Sequence, residues 1–193
     1  ENPYPSIEQR IKWLNNLRLM VVENETKFCE CISEDFGIRS EYETQITEIL
    51  PIVFGVTHAK KNLRDWVKEK NKKVLPVFWF GNNKIIPQPI GVIAVISPWN
   101  YPLQLSLSPS IGALSAGNRV LIKPSEKTPN FSEFLKKIVS KYFDPSVLAV
   151  LDGDSKLAEK ISSNKLVDHI FFTGSSNIGK KVATSAGLNL VPV

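Results

Sequence analysis

Apolar residues recur along this chain at two different periods, and the period changes near residue 90. Ile7, Ile11, Leu14, Leu17 and Val21 fall at helical spacing behind Ser6 and Gln9, a capping box, so a first helix is predicted from about Ser6. Asn24 then caps a second helix with Phe28, Ile32 and Phe36 on its apolar side, and Gly37 supplies a left-handed stop. A third helical pattern runs from residue 40 to about 70 through Ile46, Ile49, Leu50, Val53, Phe54, Leu63, Trp66 and Val67, with Pro51 expected to kink or divide it. Residues 74–80 and 84–89, separated by Gly81-Asn82-Asn83, read as a hairpin whose prolines and lysine suit edge strands.

Beyond residue 90 continuous apolar runs alternate with helical patterns. The runs are 92–96, 119–122, 147–151 and 169–172, with 189–193 as the beginning of a fifth. Helices are predicted at about 104–116, ended by Gly117, then from Thr128-Pro129 to about Phe143, at 155–161, and at 177–186, ended by Gly187. Strands apolar on both sides that alternate with helices predict an α/β fold: a Rossmann-like parallel sheet with helices on both faces and right-handed connections, preceded by N-terminal helices and a β-hairpin.

Ligands of such sheets bind outside the carboxyl ends of the strands. Those ends carry Ser97-Pro98-Trp99-Asn100, Lys123-Pro124-Ser125-Glu126, Asp152-Gly153-Asp154 and Thr173-Gly174-Ser175, all polar or glycine-bearing turns. The last opens the stretch 168–181, DHIFFTGSSNIGKK, which reads as strand, glycine turn and helix. A helix start leaves backbone N–H groups unpaired at the positive end of the dipole, so the unit suits a phosphate. Gly174 would let the backbone approach a ligand, Ser175 adds a hydroxyl, and Gly179 would let the helix approach the strand. Residues 174–180 nearly match the P-loop pattern, but Lys181 stands where a magnesium-binding Ser or Thr is required, and the three-glycine Rossmann fingerprint is not met. A plain strand-to-helix connection is the competing reading of the stretch taken alone.

Composition narrows the remaining classes. The 193 residues are 42% hydrophobic and 22% charged with a net charge of +5, enough to bury a sizeable core. No apolar run approaches the roughly 20 residues of a membrane span and no signal-peptide pattern opens the chain, so a cytoplasmic location without membrane association is expected. The densest basic run, from Lys60 to Lys73, reads as a solvated helix face, and no nucleic-acid motif accompanies it. Cys29 and Cys31 lie two apart in a helical pattern and point in different directions, which suits reduced thiols and no metal. Asp35-Phe36-Gly37 spells a kinase tripeptide without other kinase signals and reads as a helix end, and His58 has no evident partner.

Three segments in order, PWNYP at 98–102, AGNRVLIKPSEKTP at 116–129 and FTGSSNIGK at 172–180, resemble the N-terminal half of an aldehyde dehydrogenase. Asn2-Pro3-Tyr4-Pro5-Ser6 and Glu34-Asp35-Phe36-Gly37 are most similar to the coniferyl-aldehyde branch. The resemblance implies that Asn100 donates its amide to the aldehyde oxygen as it becomes an oxyanion. It implies that Lys123 and Glu126 contact the adenine ribose, that Ser175 and the N–H groups after Gly174 hold the pyrophosphate, and that Ile96, Pro98 and Ile178 flank the cofactor. Trp99 would pack near the catalytic pocket, and Ser125, Gly153, Thr173 and Gly179 complete the cofactor rim. A carboxylate that accepts from a 2′-hydroxyl leans towards NAD, with NADP as the alternative. Structural roles compete at each position: turn formation for Asn100, a solvated ion pair for Lys123 and Glu126, core packing for Trp99.

The family oxidises a small-molecule aldehyde through a cysteine thiohemiacetal, passes hydride to nicotinamide and hydrolyses the thioester with a glutamate-activated water. That glutamate belongs to a Glu-Leu-Gly-Gly motif expected just past Val193 and the cysteine lies later, so the chain is expected to be a fragment that is inactive alone. The expected organisation is a helical segment at 1–73, an oligomerisation-type hairpin at 74–89 and an NAD(P)-binding region at 90–193, within a homo-oligomer. The rival readings are an inactive dinucleotide-binding module and, less in keeping with Lys181, a P-loop-like nucleotide binder.

Overall fold

The computed structural model describes residues 4–78 and 80–193; Asn2 and Pro3 of the opening segment and Trp79 of the first expected hairpin strand lie outside them. The N-terminal layer begins with α1 (Ile7–Glu23), whose first turn is capped by Ser6 Oγ accepting from the Gln9 N–H. Next comes α2 (Glu25–Phe36), ended by Gly37 at φ +81°. Asn24 does not cap α2 with its side chain. Its amide instead donates to the Met20 carbonyl at 2.8 Å, closing α1, because the two helices follow each other without the extended residue that a side-chain N-cap needs.

The third helical pattern is one rod of three parts: α3 (Glu41–Thr44), a π-turn (Gln45–Ile49) and α4 (Leu50–Trp66). Pro51 sits in the first turn of α4. The wider π-turn just before it relieves the clash that its ring would make with the preceding turn of an α-helix.

The hairpin forms, but in another register. Its strands are β1 (Lys70–Asn71) and β2 (Lys84–Ile85), antiparallel, with Lys70 opposite Ile85, whereas Pro76–Phe78 is a 3-10 turn. Val77 and Phe80 stay exposed. With no N–H at Pro76 for a ladder, pairing moves to the polar residues before it.

From Val92 the expected alternation appears: β3 (Val92–Ile96), α5 (Pro102–Ala116), β4 (Arg119–Lys123), α6 (Pro129–Tyr142), β5 (Leu148–Val150), α7 (Ser155–Ser162), β6 (His169–Phe172) and α8 (Ser176–Gly187). The strands lie in the order β5-β4-β3-β6, all parallel, with Val92 beside Arg119 and Ile93 beside His169. Ile93 and Val95 face the larger core with α1, α4, α5 and α6, while Ala94 and Ile96 face a smaller one with Ile161, Val182 and Ala186. Coverage on both sides therefore holds at the centre. At the edge strand β6 Phe171 remains 46% exposed. Residues 189–193 do not form the expected fifth strand, although the Ile170 N–H donates to the Pro192 carbonyl at 2.9 Å.

Two carboxylates of the helical layer cap helices of the sheet layer. Asp35 accepts from the N–H groups of Asn130 and Phe131 at 3.0 and 2.9 Å, so α6 is capped from α2. Thr128, the cap expected from the sequence, instead turns its hydroxyl to the Ser125 carbonyl. Glu48 accepts from the Leu103 and Gln104 N–H groups at 2.7 and 3.1 Å, the first turn of α5. Among the described residues no helix is long and apolar enough to cross a membrane.

Candidate functional site

Hydrogen bonds that extend the sheet past its strand ends set the turns in register. The Ser97 N–H donates to the Lys123 carbonyl, the Thr173 N–H to the Ile96 carbonyl and the Leu151 N–H to the Ile122 carbonyl. The turns after β3, β4 and β6 consequently open on one cleft of about 810 Å³, walled by α7 and α8. Ile96, Pro98, Trp99, Lys123, Ser125, Glu126, Thr173, Gly174, Ser175 and Ile178 all line it.

Three expected residues do not. Asn100 follows Pro98 and Trp99, is exposed and is not among the residues that line the cleft. Gly153 lies against Leu157, only 2.6 Å from where its Cβ would stand, because Asp154 caps α7 and draws that turn onto the helix. Gly179 packs on the Phe172 ring, and so does Gly174, whose Cβ would come within 2.7 Å of it. The two glycines thus share one physical reason. They leave room for Phe172 beneath the loop, and neither has a positive φ.

Lys123 is 3% exposed and donates to Glu126 Oε2 at 2.7 Å. That hydrogen bond holds the Glu126 carboxyl below the ordinary glutamate range, against partial burial, which pushes the other way. The Ser125 carbonyl accepts from the Thr128 N–H, the Thr128 hydroxyl and the Ser132 hydroxyl, each at 3.2 Å, which fixes the turn carrying the pair. Across the cleft α8 begins at Ser176, and Ser175 makes no side-chain cap, so the first-turn N–H groups are left for a ligand. Four lysines (123, 127, 180 and 181) against two glutamates line the cleft among the described residues, giving it a positive balance.

Sequence reasoning missed the walls. Ser155, Glu159 and Ser162 of α7 and Lys181 and Ser185 of α8 also line the cleft. Their helical spacing was visible, but which helix face meets the strand ends depends on how each helix crosses the sheet. The site as built can accept an extended polyanionic ligand with an apolar flank at Ile96, Pro98 and Ile178. The described residues fit a dinucleotide: a hydroxyl-accepting carboxylate beside a lysine at one end, and a helix N-terminus over the middle.

Comparison with known proteins bears on the family. Residues 5–193 match the Aldehyde dehydrogenase family. The chain is 40% identical over 192 residues to a probable coniferyl aldehyde dehydrogenase of Pseudomonas aeruginosa, covering 99% of this chain and 40% of that protein. It is 39% identical to a 4,4'-diapolycopene-4,4'-dial dehydrogenase of Cytobacillus firmus, covering 98% and 41%. Among solved structures, the substrate-bound state of AldH from Staphylococcus aureus superposes with a TM-score of 0.93 at 34% identity, over 97% of this chain and 41% of that one. The chain thus spans about 40% of the length of the curated relatives it matches. With the fold, the three segments in register and this match along nearly its whole length, the chain belongs to the aldehyde dehydrogenase family.

Proposed function

We propose that this chain is the N-terminal, cofactor-binding part of an NAD(P)-dependent aldehyde dehydrogenase that oxidises an aromatic, coniferyl-type aldehyde to its carboxylic acid. The observation that carries the reading is the convergence of the turns after β3, β4 and β6 on one positively balanced cleft. Glu126 accepts from the adenine ribose hydroxyls with Lys123 holding it in place, the open start of α8 with Ser175 receives the pyrophosphate, and Ile96, Pro98 and Ile178 flank the ring systems. When bound, the nicotinamide supplies a hydride acceptor. The ionised Glu126 favours NAD over a 2′-phosphate. Asn100, next to the cleft-lining Trp99, donates its amide to the developing oxyanion, a donor whose removal costs on the order of 3 kcal/mol in enzymes that use one.

A second reading is a dinucleotide-binding module without chemistry of its own. Both cysteines are buried in α2, and burial pushes the Cys29 thiol up to about 11, so neither serves as a nucleophile. Calorimetric titration with NAD, NADP and ATP with magnesium, followed by aldehyde-dependent NADH formation by the complete gene product, separates the readings. Saturable NAD binding with turnover is expected. NAD binding without turnover would favour the module, and failure of both NAD and NADP to bind would end both readings. We further propose the division 1–73, 74–89 and 90–193, with the hairpin as the inter-subunit element of a homo-oligomer.

A further inference from the structure

The residues that hold the 98–101 turn lie in the N-terminal helical layer, outside the cleft. Arg39 is 7% exposed and its Nη1 donates to the Asn100 carbonyl at 2.9 Å. Its guanidinium carbon stands over both the Phe36 and Tyr101 rings, 4.9 Å from each centroid. The Phe36 ring in turn lies 5.9 Å from that of Trp99. On its other side Arg39 Nη2 is 3.3 Å from Oε1 of Glu48 and 3.4 Å from Oε1 of Glu43. Glu48 projects from the π-turn, is fully buried, and accepts the Leu103 and Gln104 N–H groups with its other oxygen. One buried ion pair therefore grips the segment 100–104 twice: the cation holds the carbonyl of Asn100, and the anion holds the first amides of α5.

Buried ion pairs are weak sources of stability, because desolvating both charges offsets most of their attraction, and their best-attested use is to fix registry. Stability around α4 and α5 is already supplied by Ile52, Val56, Leu107 and Ile111 in the larger core. What the pair adds is direction. We propose that Arg39, seated by Glu48, is a positioning residue that orients Asn100, the neighbour of the cleft-lining Trp99. The inference rests on the reading of Asn100 as oxyanion donor.

The test is a double-mutant cycle in the complete gene product, with amide hydrogen exchange as an independent readout. Arg39→Met is expected to raise exchange at 100–104 about tenfold while β3 and β4 stay protected, and to lower kcat about 10- to 100-fold with KM for NAD changed less than about twofold. In an Asn100→Ala background the same change is expected to cost less than about threefold, since the group it positions is gone. Glu48→Gln keeps the amide-accepting oxygen and the volume while removing the charge. It serves if Arg39→Met does not fold, with the same pattern at about 3- to 10-fold in kcat. Equal losses in both backgrounds, or unchanged exchange at 100–104, would overturn the proposal. If Asn100→Ala alone keeps wild-type kcat, the oxyanion reading fails, and the exchange result still decides whether Arg39 holds the turn.

Discussion

Lys123 and Glu126 show how one contact sets a pH window. The hydrogen bond from Lys123 depresses the folded-state value of Glu126, so its contribution is present above the unfolded-state value and is lost as pH falls through the folded one. NAD affinity is therefore expected to be flat from about pH 8 to about pH 5 and to weaken only below the ordinary glutamate range. Glu126→Gln should remove that acid limb and lower NAD affinity about tenfold, as read by calorimetry at each pH. Glu126 is half exposed, so its effect on stability is small. Gly117 is demanding for a different reason: it has φ +89°, and a Cβ there would stand 2.7 Å from the buried guanidinium of Arg10. Gly117→Ala is expected to cost about 1–3 kcal/mol in urea unfolding. Cys29 and Cys31, with thiols raised by burial, should resist iodoacetamide at about pH 8 until denaturant is added, and mass spectrometry reads the difference.

Between elements, the recurring device is a carboxylate from the helical layer capping a helix of the sheet layer. Asp35 stands at the end of α2 and Glu48 in the π-turn, yet each satisfies amides more than 50 residues further on, on α6 and α5 respectively. A negative group at a helix start also meets the positive end of the dipole. Asp35→Ala should uncap α6 and cost about 1–2 kcal/mol, with Asp35→Asn milder because its amide oxygen still accepts. Matched thermal unfolding of the two variants checks this, and equal melting temperatures would rule out a capping role. The glycines at 174 and 179 belong to the same scale, since both give way to the ring of Phe172 from the strand beneath them.

Over the molecule as a whole, one apolar stripe stands open. Tyr42, Ile46, Leu50 and Phe54 recur every four residues along the rod of α3, the π-turn and α4, and all are exposed. A stripe of this kind drives association. The 193-residue chain is expected to self-associate at high concentration in sedimentation velocity, and Ile46→Glu with Phe54→Glu should shift it to monomer without loss of helix signal. A monodisperse monomer of the unaltered chain would contradict this.

Local pattern alone determined the four parallel strands and their helices, because buried strands must be apolar on both faces and helices must repeat near 3.6 residues. The order of the polar turns, and hence most of the cleft lining, followed from the rule that such sheets bind at their carboxyl ends. Tertiary structure decided the rest. Whether Thr128 or Asp35 caps α6, where the hairpin pairs, which faces of α7 and α8 wall the cleft, and that Arg39 and Glu48 reach the 98–104 segment all depend on groups distant in sequence. Period and propensity carry no record of such partners, since a carboxylate on a helix reads the same whether it faces water or the start of another helix.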